Sequence, residues 1–376
     1  MNNQKVFCFF PLASVGGTER VHLDILKALD GIPKEIFIRY RTTPWKGMDY
    51  KRSKEARTEG AQWLSEFKRY GKVTFVSKYL EAPRFGRVVK SWFIKRIAKR
   101  INACSNPTVL FWHRESVEFL WPYLAPHVRI IDIVHNNSND TQPDSGYLVN
   151  EWAPRINHRV LVHAGLKKWI LPLYEAAHYS TELTDRILVI NHKVAFPDTT
   201  IVKENDALEV LYVGRDAPEK RIELFISIAA QMANHSRIKF QMVGIEDKEN
   251  RFTNVRCHGL VKDKALLKSI YSTTHVLVLT SENEGFPMVI AEAMAYGCVP
   301  IVTAVGAIPT HLRHGEEVIL TDPMKCVEET IEWILRLDGN PEILQELSKK
   351  AYLYAEEHFA ADRFDNAWKQ LIQSPS

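Results

Sequence analysis

Short, almost unbroken apolar runs alternate along the chain with longer stretches in which apolar residues recur every three or four positions. The clearest runs cover residues 5–12, 129–134, 208–213 and 276–280. An unbroken run of this length predicts a strand buried on both faces of a sheet, and the longer period predicts an amphipathic helix. Strands that alternate with helices predict an α/β protein built on parallel sheets with helices on both faces.

The length of the chain and one polar stretch predict two such domains. At 376 residues, the chain exceeds the size at which a single core keeps growing. Residues 197–206 are polar and lie between two apolar strands, so they are the expected linker. We therefore expect a first domain over residues 1–196, a second over residues 207–355, and a helical terminal segment over residues 356–376.

The composition favours an intracellular protein without a disulfide framework or a zinc site. Five cysteines are scattered without a C-x-x-C pair, and neither their number nor their spacing suits such a site. No apolar run approaches the ~18 residues that a membrane-spanning helix requires. Residues 6–12 are better interpreted as a strand than as a signal peptide. We expect a cytoplasmic protein whose membrane contact is at most peripheral.

The most informative segment, residues 281–297, places two carboxylates around a turn that opens a helix. Glu284 precedes the Gly-Phe-Pro turn, and Glu292 lies slightly more than one helical turn after Pro287. Proline is tolerated at a first helical position because its missing N–H would be unpaired there.

The helix start predicted at Pro287 is a candidate phosphate site. Its free N–H groups, from Met288 to Ile290, and the helix dipole together attract anions. The Glu292 carboxylate could accept hydrogen bonds from vicinal hydroxyls such as those of a ribose. The alternative is an ordinary strand, turn and amphipathic helix with a solvated glutamate.

A second segment, residues 208–229, again predicts a strand, a glycine turn and a helix. Arg215 and Lys220 lie on either side of the turn that follows Gly214. Two cations at one strand-to-helix loop suit a diphosphate, the arginine as a planar fork and the lysine as a mobile point charge. Either of them could by itself be an ordinary surface charge.

Taken together, the two segments carry a family resemblance. The chain resembles the retaining glycosyltransferases of the GT-B fold, in particular family 4, over nearly its whole length. The resemblance rests on G-R-x(4)-K starting at Gly214 and on E-x(7)-E starting at Glu284. It implies two Rossmann-like domains that face each other across a cleft. It also implies that the helix within residues 356–376 crosses back to the first domain, where we expect Phe364 and Trp368 to pack.

The resemblance assigns roles to the residues of the site. Arg215 and Lys220 would bind the donor diphosphate, Glu284 would lie beside the donor sugar, and Glu292 would hold the ribose. The backbone after the Gly-Phe pair would contact sugar and phosphate. The implied donor-binding set is Gly16, Gly17, Gly214, Arg215, Lys220, Gly285, Phe286, Pro287, Met288, Val289 and Glu292, and the implied catalytic set is His135, Glu284, Arg215 and Lys220.

The glycine pair after the first strand supplies the other wall of the expected cleft. Gly16 and Gly17 allow a tight turn and a close approach of a ligand to the backbone. A dinucleotide fingerprint is absent because Arg20 fills its third glycine position, which disfavours a dehydrogenase. In the family the corresponding loop lies between donor and acceptor and includes the position of Glu19. The alternative is a connection that needs glycine only for its geometry.

A histidine follows the buried strand predicted at residues 129–134. His135 lies just past the carboxyl end of that strand, where open α/β sheets bind their ligands. Family members carry a histidine here that hydrogen-bonds the transferred sugar. His113, at the end of another strand, is a weaker candidate because a lone histidine beside a tryptophan is more often structural.

A basic and aromatic segment over residues 84–101 suggests a membrane partner. It holds seven basic residues and no acidic ones, with Trp92, Phe93, Ile94 and Ile97 between them. Such a segment is attracted to an anionic lipid surface, here the inner face of the cell membrane. Roughly 1 kcal/mol per cation near the surface would suffice for reversible docking. The alternative is a helix that packs its apolar stripe on the first domain and exposes a solvated basic face.

A nucleic-acid partner is not expected. The net charge of +4 is mild, and no recognised nucleic-acid module accompanies the basic segment.

Two positions depart from the family pattern. Thr310 stands where family members usually have a glutamate, and residues 190–194 replace the usual Pro-Asn-Gly-Val loop. Neither difference removes a proposed donor ligand, but both make the transferred sugar and the acceptor harder to infer.

The resemblance implies transfer of a sugar from a UDP-, GDP- or ADP-sugar to an acceptor hydroxyl, with retention at the anomeric carbon. The acceptor would be a glycan or lipid-linked glycan of a cell-surface polysaccharide or glycolipid. No cofactor or metal is expected, since the chain has no D-x-D triplet, the usual manganese site of the other major glycosyltransferase fold. Two other functions stay open, namely a GT-B sugar-nucleotide epimerase and a non-enzymatic assembly subunit with a vestigial nucleotide pocket.

Overall fold

The computed structural model divides the chain into two compact units. The first comprises Met1–Asn191 and Phe364–Ser376, and the second comprises His192–Arg363. The described residues are 4–11, 17–39, 64–80, 86–112, 114–135, 148–199, 201–203, 206–247 and 254–374, with the backbone alone at 17–19, 78, 86 and 87.

The described part of the first unit contains a parallel sheet with the strand order β3-β2-β1-β4-β5-β6-β7. Its strands are β1 (Gln4–Phe10), β2 (Lys34–Ile38), β3 (Lys72–Phe75), β4 (Asn106–Trp112), β5 (Arg129–Val134), β6 (His158–Leu161) and β7 (Ile187–Val189). Its helices are α1 (Gly17–Ala28), α2 (64–69), α3 (Ser77–Leu80), α4 (Gly86–Asn102), α5 (Gly165–Ala176), α6 (Thr181–Asp185) and α13 (Ala361–Gln373). Single turns of 3₁₀ helix cover Arg114–Ser116, Trp121–Tyr123 and Ala153–Arg155.

The second unit contains a second parallel sheet, with the order β10-β9-β8-β11-β12-β13. Its strands are β8 (Leu208–Val213), β9 (Ile238–Val243), β10 (Val255–Cys257), β11 (Val276–Leu279), β12 (Val299–Thr303) and β13 (Ile319–Thr321). Its helices are α7 (Ile222–Gln231), α8 (Lys264–Thr273), α9 (Met288–Ala295), α10 (Ile308–His311), α11 (Cys326–Gly339) and α12 (Pro341–Phe359), and Pro218–Lys220 forms a 3₁₀ turn.

Strand β1 explains why its sequence is an unbroken apolar run. Successive side chains of a strand point to opposite faces of the sheet. Val6, Cys8 and Phe10 therefore pack into the core on one face, whereas Phe7 and Phe9 pack into the core on the other. The prediction of parallel sheets covered on both faces is confirmed.

Each sheet contains a point at which the strand order reverses. In the second unit, β9 and β10 extend to one side of β8, and β12 and β13 extend to the other side of β11. Open α/β sheets bind ligands at the carboxyl ends of the two strands that meet at such a point. The loops that follow β8 and β11 therefore form the candidate site of this unit.

The last helix belongs to the core of the first unit. On α13, Phe364 and Trp368 are buried in the same cluster as residues of β1 and β5. The Gln4 side-chain amide donates to the Ile372 carbonyl, and the Arg129 guanidinium donates to the same carbonyl at 3.1 Å. The end of the chain is thus held by both apolar contacts and hydrogen bonds.

Among the described residues, no helix combines the length and the apolar character needed to cross a bilayer.

Candidate functional site in the second unit

The loops after β8 and β11 bring together the two opposite charges that the sequence singles out. The Lys220 ammonium contacts the Glu284 carboxylate, although the two residues are 64 positions apart. The Ser281 hydroxyl donates to the same carboxylate oxygen at 2.6 Å. The side chains of Lys220 and Glu284 are 19% and 9% exposed, respectively, so this ion pair lies at the edge of the core with limited access to water.

Arg221 joins the two loops and was not singled out by the sequence. Its Nε donates to the Thr280 carbonyl at 2.7 Å, and its Nη1 donates to the Pro323 carbonyl at 3.0 Å. In return, the Thr280 hydroxyl donates to the Lys220 carbonyl at 3.1 Å. Arg221 also has a left-handed backbone with φ of 45°, which directs the chain from the 3₁₀ turn into α7. The only sequence feature that could have indicated it is a second cation next to Lys220.

Two glycines permit backbone contacts that a side chain would prevent. A Cβ on Gly306 would lie 1.6 Å from the Glu284 carbonyl oxygen, and Gly306 has a left-handed φ of 57°. A Cβ on Gly244 would lie 2.2 Å from the Gly214 carbonyl oxygen. The backbone at both motifs is therefore packed closely against a neighbouring turn.

Helix α9 begins at Met288, one residue later than predicted. Pro287 is extended, with φ of −66° and ψ of 120°, and precedes the helix. The Ile290 N–H, expected to be free, donates to the Pro287 carbonyl at 3.0 Å. The first turn of the helix is thus tightened into an i to i+3 hydrogen bond, and Met288 and Val289 remain the candidate phosphate donors.

Glu292 is positioned by a residue from another helix. The Tyr271 hydroxyl on α8 donates to the Glu292 carboxylate at 3.1 Å. Tyr271 is itself buried, and its ring packs against Tyr296 with the centroids 5.7 Å apart. This contact fixes the direction of the carboxylate. Nothing in the sequence pattern indicates Tyr271.

Arg215 occupies a more exposed position than Lys220. Its guanidinium pairs with the Glu219 carboxylate on the same loop, and the Arg215 side chain is 66% exposed. The pKa of Glu219 is lowered chiefly by a backbone hydrogen bond and further by its hydrogen bond and charge interaction with Arg215, although burial opposes these effects. Arg215 therefore lies on the outer side of the loop, where its long side chain has room to move.

Tyr212 lies beneath the Gly214 turn and is a further residue that the motifs did not indicate. Its side chain is fully buried, and its hydroxyl makes no hydrogen bond within the described part of the chain. Burial, reinforced by the nearby Glu284 carboxylate, raises the pKa of this phenol. A Cβ on Gly214 would lie 2.8 Å from the Tyr212 oxygen, so Gly214 is required by the protein's own packing.

The Phe286 side chain contributes to packing. Its ring lies 4.7 Å from that of His311 and 5.5 Å from that of Phe359, measured between centroids. The Gly285 carbonyl accepts from the Ala307 N–H at 3.2 Å. Thr310, at the position where the family pattern has a glutamate, lies within α10.

Candidate residues of the first unit

His135 lies directly after β5, within an aromatic cluster. Its ring makes edge contacts with His22 and Trp112, with the centroids 5.1 Å and 5.0 Å apart. The His22 ring stacks on Phe10 at 4.1 Å. His22 is buried on α1, and its place in the core stripe of that helix concealed its proximity to His135.

The other candidates of this unit are only partly within the described residues. Gly17 is the first residue of α1, whereas Gly16, His113 and the Glu19 side chain lie outside the described part. Within that part, no three His, Cys, Asp or Glu side chains group in a way that could hold a metal ion.

Similarity to known proteins

Comparison with known sequences finds one family model and several relatives that match part of the chain. Residues 207–340 match the family model described as glycosyl transferases group 1. An exopolysaccharide phosphotransferase of Streptomyces coelicolor is 27% identical over 168 residues, which are 42% of this chain and 18% of that protein. A D-inositol 3-phosphate glycosyltransferase of Thermomonospora curvata is 29% identical over 136 residues, which are 31% of this chain and 32% of that protein. The chain thus matches less than a third of the length of these relatives.

Comparison with solved structures extends over both units. S. aureus TarM has a TM-score of 0.71 at 14% identity, covering 98% of this chain and 99% of that chain. Anabaena HepE in complex with UDP has a TM-score of 0.71 at 13% identity, covering 99% and 100%. The lipopolysaccharide outer core galactosyltransferase WaaB has a TM-score of 0.68 at 16% identity, covering 98% and 99%. The predicted GT-B fold is confirmed.

Proposed function

We propose that this chain, whose residues 207–340 form a domain of the group 1 glycosyltransferases, transfers a sugar from a nucleoside diphosphate sugar to an acceptor hydroxyl with retention of the anomeric configuration. The observation that carries the proposal is the contact between Lys220 and Glu284 at the reversal point of the second sheet. Glu292 follows on the helix that begins beside them. A cation and two carboxylates in this order suit phosphate, sugar and ribose, respectively.

The proposed source of catalysis is charge stabilisation at the leaving group. As the bond to the anomeric carbon breaks, negative charge grows on the departing diphosphate. Lys220, Arg215 and the Met288 and Val289 amides would stabilise that charge. In this proposal they take the place of a metal, and the departing phosphate takes the proton of the attacking hydroxyl on the same face.

The two glutamates would orient the donor. Ser281 and Lys220 leave Glu284 with a defined direction and further acceptor positions, which suit the hydroxyls of the donor sugar. The hydrogen bond from Tyr271 likewise gives Glu292 a defined direction and leaves acceptor positions that suit the hydroxyls of the ribose. His135, on the first unit, is proposed to hydrogen-bond the transferred sugar.

Relatives and neighbours support the substrate classes. HepE has been solved in complex with UDP and with UDP and glucose, which supports a nucleotide-sugar donor. The names of the exopolysaccharide phosphotransferase and of the outer core galactosyltransferase support a glycan or lipid-linked glycan acceptor. We further propose that the chain acts in the cytoplasm and requires no metal or other cofactor.

Thermal unfolding of the purified protein with UDP, GDP, ADP and their sugar conjugates, in the presence of EDTA, tests the donor site. One nucleotide should raise the Tm, since a ligand at about 100 times its Kd stabilises by about 2.7 kcal/mol. Glu292→Gln should weaken its binding by about tenfold or more, because a charged hydrogen-bond acceptor is lost. Glu282→Gln is the matched control, since Glu282 is exposed on the same loop.

Failure of every nucleotide to raise the Tm would contradict the donor assignment and favour an assembly subunit. If a nucleotide binds, the reaction products distinguish a transferase from an epimerase. Interconversion of a free sugar nucleotide without an acceptor would indicate an epimerase, whereas slow donor hydrolysis that Lys220→Ala abolishes is expected of a transferase. A requirement for added manganese would contradict metal independence.

A further inference from the structure

Helix α4 has apolar residues on two opposite faces. Its inner face packs Phe93, Ile94 and Ile97 into the core of the first unit. On its outer face, Val88 is 79% exposed and Trp92 is 56% exposed. With about 100° between successive residues, Val88 and Trp92 point away from the core. The alternative of a purely solvated outer face accounts for the inner residues but not for two large apolar side chains that are exposed one helical turn apart.

Cations continue the same outer stripe. Lys95 and Lys99 follow Trp92 at spacings of three and seven residues, so they share its face, and both are exposed. The Arg96 guanidinium lies over the Trp92 ring, 5.0 Å from its centroid. Neither lysine forms an ion pair with any acidic side chain that the structure describes.

The partner must therefore accept both an indole and several cations on a single convex helix. α4 contains no acidic residue, so its outer face presents only positive charge next to the exposed apolar side chains. An anionic bilayer offers phosphate groups to the lysines and an interfacial region to the indole, in which tryptophan is favoured. An acidic protein surface would meet the charges but would not need the protruding valine and tryptophan.

We propose that the outer face of α4, formed by Val88, Trp92, Lys95, Arg96 and Lys99, docks the protein reversibly on an anionic lipid bilayer. The geometry of this face belongs to the first unit alone and does not depend on the proposed sugar transfer. Because the lipid contact combines apolar insertion with charge, loss of either component should weaken it.

Flotation of the full chain with phosphatidylcholine vesicles, with and without about one third phosphatidylglycerol, tests the proposal. The protein should float with the anionic vesicles and remain behind with the neutral ones, and added salt should reduce flotation. Trp92→Ser and the pair Lys95→Glu/Lys99→Glu should each weaken vesicle binding about tenfold or more.

Matched variants control for general effects of charge and polarity. Lys264→Glu/Lys268→Glu reverses two exposed lysines at the same spacing on α8, and Met324→Ser removes an exposed apolar residue of the second unit. Both should float like the unaltered protein. All variants should keep their Tm, which shows that α4 remains folded on the core.

Three results would overturn the proposal. Equal flotation with neutral and anionic vesicles would show that charge does not contribute to binding. Full binding by Trp92→Ser would show that the exposed apolar side chain does not contribute. Binding to heparin or RNA, with no flotation on anionic vesicles, would assign the face to another polyanion.

Discussion

At the scale of single residues, the hydroxyl of Tyr212 determines what the Gly214 position tolerates. A Cβ at position 214 would meet the Tyr212 oxygen at 2.8 Å and two ring carbons at 3.1 Å. We expect Gly214→Ala to lower the free energy of unfolding of the second unit by about 1–3 kcal/mol through overpacking. Tyr212→Phe should be neutral or slightly stabilising, because it removes a buried hydroxyl without a described partner.

Combining the two changes tests whether position 214 requires glycine because of packing against Tyr212 or because a ligand approaches the backbone there. In Tyr212→Phe/Gly214→Ala, the oxygen contact is gone and only the ring contacts remain, so part of the lost stability should return. A double-mutant cycle by urea unfolding measures this coupling. Strictly additive effects would show that Gly214 is required for another reason.

His163 should make the first unit sensitive to acid. It is buried just after β6, and burial lowers its pKa from 6.5 to about 4. The unfolded chain therefore binds a proton between these values that the folded chain does not. Stability from this residue is complete above about pH 6.5 and is lost as the pH falls towards 4, by at most about 3 kcal/mol.

Urea unfolding at about pH 7.5 and about pH 5 measures the acid sensitivity. His163→Gln should lose less stability between the two values than the unaltered protein. His127→Gln serves as the control, since His127 is exposed, and it should retain the full pH dependence. An unchanged pH dependence in His163→Gln would assign the acid sensitivity to other groups.

At the scale of elements, the turn between β12 and α10 supports the loop that carries Glu284. Gly306 allows the two backbones to touch, because its missing Cβ would overlap the Glu284 carbonyl oxygen at 1.6 Å. Gly306→Ala should displace this loop and weaken nucleotide binding about tenfold or more. It should also lower the free energy of unfolding by the ~1–2 kcal/mol cost of a left-handed alanine.

Gly339→Ala is the matched control for that change. Gly339 ends α11 without a left-handed φ, and a Cβ there would meet nothing within 4 Å. It should leave both nucleotide binding and Tm unchanged or slightly raised. Equal nucleotide affinity in the Gly306→Ala and Gly339→Ala variants would show that this turn does not position Glu284.

At the scale of the whole molecule, the first unit is completed by the end of the chain. Trp368 on α13 is 1% exposed within the core of the first unit. Trp368→Ala should destabilise that unit by about 3–5 kcal/mol, because it leaves a large cavity. Lys369→Ala, at the exposed neighbouring position, should have little effect.

Calorimetry with and without nucleotide separates the two units. Trp368→Ala should lower the unfolding temperature of the first unit, whereas a nucleotide bound at Lys220 and Glu292 should raise the unfolding temperature of the second unit. If the nucleotide raised only the unfolding temperature that Trp368→Ala lowers, the donor site would lie in the first unit, contrary to the proposal.

The alternation of apolar runs and helical periods determined the fold class from the sequence alone. The run at 276–280 became β11 (Val276–Leu279), and the run at 208–213 became β8 (Leu208–Val213). Gly214 follows β8 directly and Glu284 lies five residues after the end of β11, so the place of both motifs at a strand end was predictable. The local pattern could not separate Pro287 from the first residue of α9, because an extended and a helical proline share the same φ.

Only the tertiary structure decided which groups meet. Strands β8 and β11 are neighbours in the sheet but distant in sequence, and this pairing brings Lys220 to Glu284 and Arg221 to the Thr280 carbonyl. Likewise, Tyr271 reaches Glu292 from another helix. Trp92 is exposed and its neighbour Phe93 is buried, because they lie on different faces of α4. Residue types and spacing determine which chemistry a segment can supply, whereas long-range packing determines which partner each side chain has and whether it is exposed to solvent.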